Sequence, residues 1–282
     1  MNRTIFPSIP ILNYHKIDDR WEVGVNCVKP ANFLKQLEWL NDNGFNTVTF
    51  EDLLSNTPLP PNPIIISFDD GYESVYLNAL PAMQKFGYRG VIFILTGYLG
   101  KENSWDANLL GKTFRHLNEK QIQKLAQAGF EIASHGVSHQ AMVNLNAGEV
   151  EAELHLSRRL LSQLAEKDCV TFAYPFGIQN PEIQKLVRQA GYRFACVNVW
   201  GGSPTNPYRL PRFPVYRFDN QLTLRRYLKT RFWKRLEIIK VHLISWSARL
   251  TPIYQRFGNR PDNSRLYHQQ RNLIQRFSIK HH

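Results

Sequence analysis

Residues 64–72 read IIISFDDGY: three isoleucines, Ser67, Phe68, two adjacent aspartates, a glycine and a tyrosine. The run 64–68 has no polar face, so as a strand it must be covered on both sides, which is the habit of parallel sheets flanked by helices. Its C-terminal end carries two carboxylates, and Gly71 suits a tight turn there. A helical pattern follows over 75–86. In parallel α/β folds the loops leaving the C-terminal ends of the strands share one face, and working residues collect on it.

The same alternation extends in both directions. Strand-like runs occur at 9–14, 46–50, 91–95, 131–134, 170–174, 194–199 and 210–215, making eight with 64–68. Helical stretches fall at 30–43, 118–128, 148–166 and 181–190. Pro30 suits the first turn of its helix, and two helices close on the glycines of AGF and AGY. The fold class expected is α/β, a distorted (β/α) barrel of seven or eight strands, with a doubly wound open sheet as the alternative. A chain of 282 residues with 43% hydrophobic residues can bury such a core.

Charge divides the chain. The net +12 is concentrated from Asp219 onward, where 14 Lys and Arg face 3 Asp and Glu, leaving 21 against 20 in residues 1–218. A nearly neutral body argues against a nucleic-acid groove. We therefore expect a barrel unit over 1–218 and a basic, amphipathic helical extension over 219–282. Within the extension, Leu224, Leu228, Leu236, Ile239, Leu243, Trp246 and Leu250 recur at helical steps among Arg and Lys. That pattern fits a helix closing over the barrel or one lying on an anionic membrane or acidic glycan. After Pro252 the polar, Arg-rich composition predicts loose order. Cys27, Cys169 and Cys196 lack metal or disulfide spacing and are expected to be buried thiols. Neither a signal peptide nor a 20-residue apolar span is evident, so a cytoplasmic or membrane-peripheral location is expected, with action outside the cytoplasm left open.

Four strand ends carry the polar residues. Phe68 is followed by Asp69 and Asp70, Ser134 by His135 with His139 four residues on, Tyr14 by His15, and the run 170–174 by Pro175 and Phe176. The spacing of SHGVSH (134–139) lets two imidazoles reach one ion, with a carboxylate as third ligand and an open position for chemistry. Two loop histidines making only hydrogen bonds are the alternative. Adjacent buried carboxylates repel unless a cation offsets them. A divalent ion using one of them as ligand leaves the other free as a general base on water; a helix N-cap pair is the plainer alternative.

SFDDG, SHGVSH and FAYPFG, in this order and spacing, resemble the first three motifs of the polysaccharide deacetylases, carbohydrate esterase family 4, also called the NodB-homology domain. YHKI near the start and YRLPRFPV near 208–215 resemble the branch containing the poly-N-acetylglucosamine deacetylases, and the likeness covers about residues 9–217. The resemblance implies that Asp69 is the catalytic base and that Asp70, His135 and His139 bind a divalent metal, usually Zn2+. It also implies that the backbone N–H of Phe176, after Pro175, holds the oxyanion. The implied reaction is hydrolysis of N-acetyl groups on a glycan, releasing acetate.

Three positions depart from the family pattern. Ala173 stands where many relatives have an arginine paired with the catalytic aspartate, and Arg212 is the expected substitute. No late Leu-x-His supplies a general acid; His15 is expected to fill that role, because first and last strands adjoin in a closed barrel. The fourth motif has no clear counterpart, and Trp200 offers a sugar-stacking surface in its place, with Tyr72 and Pro175 as further candidate substrate contacts. Alternative readings are a small-molecule amide or imide hydrolase on the same barrel and a glycan-binding protein without activity. Oligomeric state is not legible.

Overall fold

The structure, a computed structural model, describes residues 9–20, 22, 24–103, 113–199, 202–229, 238–239, 241 and 263–280. All eight expected strands form: β1 (Ile11–Tyr14), β4 (Asn46–Thr47), β5 (Pro63–Phe68), β6 (Val91–Ile94), β7 (Glu131–Ser134), β8 (Thr171–Ala173), β9 (Phe194–Asn198) and β10 (Leu210–Pro214). Two further two-residue strands, β2 (Lys16–Ile17) and β3 (Cys27–Val28), pair with each other beside the sheet.

Seven strands close a parallel barrel in the order β1-β10-β9-β8-β7-β6-β5, and β5 pairs back onto β1 with Ile11 opposite Ile65 and Tyr14 opposite Phe68. The eighth, β4, pairs only with the start of β5 (Thr47 opposite Ile64), whereas β6 pairs with its end (Phe68 opposite Ile92). The barrel is therefore distorted at this point, as the fold class expects.

Because side chains alternate across a strand, each strand sorts its residues between two cores. Ile11, Ile65, Val91, Phe93, Ala133, Ala173, Phe194, Cys196 and Leu210 fill the interior with Phe50. Leu12, Tyr14, Ile66, Phe68, Ile92, Ile132, Phe172, Val197 and Phe213 pack outward under the helices. Those helices are α1 (Pro30–Asp42), α2 (Leu80–Gln84), α3 (Glu119–Gln127), α4 (Ala147–Ala165), α5 (Pro181–Gln189), α6 (Gln221–Lys229) and α7 (Ser264–Lys280).

A single π turn, Val75–Ala79, leads into α2. Asn118 and Asn146 cap α3 and α4 through reciprocal capping boxes, which satisfy donors that the first turn leaves without partners. The three cysteines are buried and free. Among the described residues, no helix is long and apolar enough to cross a membrane.

The tail differs from expectation in one respect. Residues 264–280 are a regular helix docked on α4, where Ile274 is 3% exposed and Gln163 donates to the Ser278 hydroxyl at 2.9 Å. Loose order after Pro252 is thus incorrect for this segment: its apolar side finds a partner in α4. Of the amphipathic run 223–250, residues up to Lys229 lie in α6, and most of the rest lies outside the described residues.

At the closed end of the barrel, Glu131 is 1% exposed and accepts from the Thr171 hydroxyl at 2.5 Å and the Glu51 N–H at 3.1 Å. Burial pushes its pKa up to about 7; the Thr171 bond opposes this, and the nearby Glu51 carboxylate, itself paired with Lys167, adds to it. A carboxyl raised on folding stabilises fully below its ordinary pKa and loses that contribution as pH climbs through about 7. Wild type is therefore expected to lose about 3 kcal/mol between pH 4 and pH 8 that Glu131→Gln does not lose. Urea unfolding across that range checks this, and parallel curves for the two proteins would contradict it.

Candidate active site

The inward residues of the strands rise in steps toward the C-terminal face. Ile65 and Ser67 lead to Asp69, Glu131 and Ala133 to His135, and Ile11 and Asn13 to His15, so strand period alone aims three chemistry-bearing side chains into one opening. The ladder still holds the chain where it departs: Asp69 N–H donates to Tyr14 O at 2.9 Å and His135 N–H to Ile94 O at 3.0 Å.

Asp70 would alternate outward. Instead its φ is +68° and that of Gly71 is +67°, a left-handed pair that turns its carboxylate back toward the opening. Asp70 Oδ1 lies 3.5 Å from His135 Nε2 and 3.5 Å from His139 Nε2. The three ligand atoms fall within 4.8 Å of one another, and all three residues are buried. Among the described residues, five non-glycines have positive φ, and three of them, Asp70, His139 and Phe176, stand here. Such conformations cost about 1–3 kcal/mol each and persist where the surroundings impose them.

The donor set fits a divalent cation. His135 Nδ1 is 2.8 Å from Ala173 O, which can only accept, so Nδ1 carries the proton and Nε2 presents a lone pair. Burial lowers the pKa of both His135 and His139, keeping the rings neutral, although the Asp69 carboxylate opposes it. The His135 lone pair facing a carboxylate oxygen is repelled by it unless a cation lies between them, and His139 Nε2 faces the same oxygen. Ligand atoms on a tetrahedral ion with bonds of 2.0–2.1 Å stand about 3.4 Å apart, close to the 3.5 Å that separates Asp70 Oδ1 from each imidazole nitrogen.

Asp69 is engaged differently. Arg212 donates to it from both terminal nitrogens, at 2.6 Å and 2.8 Å, and Asn13 Nδ2 donates at 2.9 Å. Arg212 is 1% exposed, its guanidinium lies 4.8 Å from the centre of the Phe93 ring, and it also donates to Asn13 Oδ1 at 3.0 Å. Burial alone would raise the Asp69 pKa, but the Arg212 charge and the neighbouring histidines hold it well below the usual carboxylate range. Arg212 thus occupies the place beside Asp69 that Ala173 cannot fill.

His15 keeps some accessible surface, yet loss of water around its ring lowers its pKa to about 4, with Asp69 opposing and Lys16, Arg212 and His135 adding to the effect. The Phe176 ring packs 4.6 Å from His139, and Pro175 is buried beside it. Tyr72 lies in the wall rather than the opening, stacked on His116 at 4.9 Å with Lys16 Nζ over its ring. Trp200 lies outside the described residues.

Three contributors escaped the sequence reading. Asn13 was signalled as a polar residue in an apolar strand. Glu153, which holds the loop between His135 and His139, stands with Ser157 on the buried apolar face of α4, an anomaly that could have been noticed. His116, whose Nδ1–H donates to Asp70 O at 2.8 Å, comes from a connecting segment with no periodicity to mark it. Burial lowers its pKa to about 4.

The closed parallel barrel thus carries an Asp-His-His cluster and an arginine-paired aspartate at its strand ends, a set of groups suited to metal-assisted hydrolysis. Residues 56–195 match the family Polysaccharide deacetylase, and the chain carries a domain of that family, carbohydrate esterase family 4. It is 29% identical over 200 residues to YxkH of Bacillus subtilis (strain 168), whose name places it among polysaccharide deacetylases; the match spans 70% of this chain and 66% of that protein. It is 25% identical over 231 residues to the poly-beta-1,6-N-acetyl-D-glucosamine N-deacetylase of Staphylococcus aureus (strain MSSA476), across 72% of this chain and 77% of that one. The crystal structure of BC0361, a polysaccharide deacetylase from Bacillus cereus, superposes with a TM-score of 0.67 at 24% identity, covering 78% of this chain and 69% of that one.

Proposed function

We propose that this protein hydrolyses N-acetyl groups on a glycan, releasing acetate and leaving a free amine. The observation that carries the reading is the division of labour in the pair at the end of β5: Asp70 faces two imidazoles while Asp69 faces Arg212. A divalent ion held by Asp70, His135 and His139, Zn2+ by the chemistry of the donors, would supply Lewis acidity toward water and the acetyl carbonyl.

The chain's own residues do the rest. Arg212 and Asn13 take three of about four acceptor positions on the Asp69 carboxylate, leaving one direction for the proton of an attacking water. Asp69 accepts that proton as the oxygen adds to the acetyl carbon. The backbone N–H of Phe176 donates to the oxygen that becomes negative. His15, neutral in the resting site, receives the proton from Asp69 and gives it to the amine nitrogen as the C–N bond breaks. Asp69 is too weak a base to keep the proton, which favours its onward transfer. Trp200 is the proposed stacking surface for a sugar ring.

Acetate release from N-acetylglucosamine oligosaccharides tests this. Activity is expected to vanish with a chelator and return with Zn2+. His15→Ala is expected to lose at least about 10²-fold in kcat on the amide, and much less on an aryl acetate whose leaving group needs no proton. Bound metal without acetate from any N-acetylated sugar would favour the small-molecule or glycan-binding readings, and wild-type turnover in His15→Ala would remove the acid assignment.

A further inference from the structure

The turn from His135 to His139 is gripped from outside the barrel. On one side, Thr96 N–H donates to Gly136 O at 3.1 Å and Gly97 N–H to Val137 O at 3.0 Å. On the other, Glu153 of α4, 1% exposed, accepts from Val137 N–H at 2.5 Å, Ser138 N–H at 3.1 Å and the Ser138 hydroxyl at 2.5 Å. The fit is close: a Cβ on Gly136 would lie 2.7 Å from Glu153 Oε2, and one on Gly97 would lie 2.5 Å from Val137 O.

Helix α7 and the residue before it reach each part of this grip. Tyr267 donates its hydroxyl to Glu153 Oε1 at 3.0 Å, Asn263 Nδ2 donates to Ser138 Oγ at 3.4 Å, and Gln270 Nε2 donates to Thr96 O at 2.7 Å. With Tyr267 in place, Glu153 has four donors for its two oxygens, which fills a carboxylate's acceptor positions. Two features separate this from simple coverage of α4. Gln270, a polar residue 2% exposed on the docked side of α7, is aimed at the backbone of the clamping segment. The one tyrosine hydroxyl on α7 meets the carboxylate that holds the turn.

We propose that α7 is a positioning element for the metal-binding turn: Tyr267 acting through Glu153, and Gln270 acting through Thr96, hold His135 and His139 at the spacing that binds the ion. This rests on the reading of Asp70, His135 and His139 as ligands. The physical reason is tolerance. A metal site accepts errors of about 0.2 Å in ligand distance, and His139 is held in a left-handed conformation that a slack turn would leave. Losing partners that orient ligands typically weakens metal binding about 10–100-fold.

The test uses the full-length protein, stripped of metal and titrated with Zn2+ against a chelating dye, with the visible spectrum of the Co2+ form as a second readout. Tyr267→Phe and Gln270→Leu are each expected to weaken Zn2+ binding about 10-fold and to shift the Co2+ bands, with KM unchanged at saturating metal. Ser278→Ala, which loosens the same helix at Gln163 away from the turn, is expected to lower the melting temperature yet leave affinity and spectrum as in wild type. If either of the first two variants folds and binds Zn2+ like wild type with an unshifted spectrum, α7 only covers α4 and the proposal is overturned. If Ser278→Ala weakens Zn2+ as much as they do, docking alone sets affinity and the proposal also fails. If wild type and His135→Ala bind Zn2+ equally, the ligand reading itself is wrong.

Discussion

Asp69→Asn is expected to lower kcat for acetate release by at least about 10³-fold while the protein still takes up one metal ion per chain. A general base contributes about 10²–10⁴-fold, and the amide places an N–H₂ group where the proton acceptor stood. The candidate metal-binding group is untouched, because Asp70, His135 and His139 are held by their own contacts: His116 on the Asp70 carbonyl, Ala173 on the His135 ring, and Glu153 on the turn. A large fall in kcat at unchanged metal stoichiometry would separate the two aspartates by role. If Asp69→Asn lost the metal instead, Asp69 would be a ligand and the division of labour at the end of β5 would be wrong. If it kept more than about a tenth of wild-type kcat, no general base would be needed there.

What could be read beforehand follows from how each feature is encoded. The barrel strands were legible because parallel strands buried on both faces leave short, uninterrupted apolar runs, and all eight runs became strands. Asp69, His135 and His15 were legible because strand period carries an inward series past the end of the sheet. Arg212 was legible as a charge inside a strand whose neighbours are apolar. Other features depend on contacts distant in sequence. Strands β2 and β3 are two residues each, too short for any period to register. The left-handed turn that re-aims Asp70 is hinted at only by Gly71.

Helix α7 does carry a stripe, Leu266, Tyr267, Gln270, Leu273, Ile274 and Phe277, at three- and four-residue steps. Its density of Arg and Gln made composition outweigh period. The polar member of that stripe, Gln270, is the one whose hydrogen bond reaches the segment clamping the turn from His135 to His139. Function and illegibility thus share a cause, since a polar residue on a buried face has meaning only with its partner in view.

Arg212→Met is expected to cost about 3–5 kcal/mol of stability, because it leaves the Asp69 carboxylate buried without its cation. It should also remove nearly all activity, since the guanidinium fixes both Asp69 oxygens and with them the one direction open to water. These two consequences separate in the double variant. When both members of a buried pair are replaced by residues of similar shape the stability cost largely disappears, so Asp69→Leu combined with Arg212→Met should recover most of the loss of the single variant and none of its activity. Urea unfolding and acetate release on the same three proteins provide the comparison. Recovery of stability without activity assigns the pair to catalysis and makes its stabilising role incidental. A double variant as unstable as Arg212→Met would mean that the guanidinium is held chiefly by Asn13 and the Phe93 ring, with Asp69 a lesser partner.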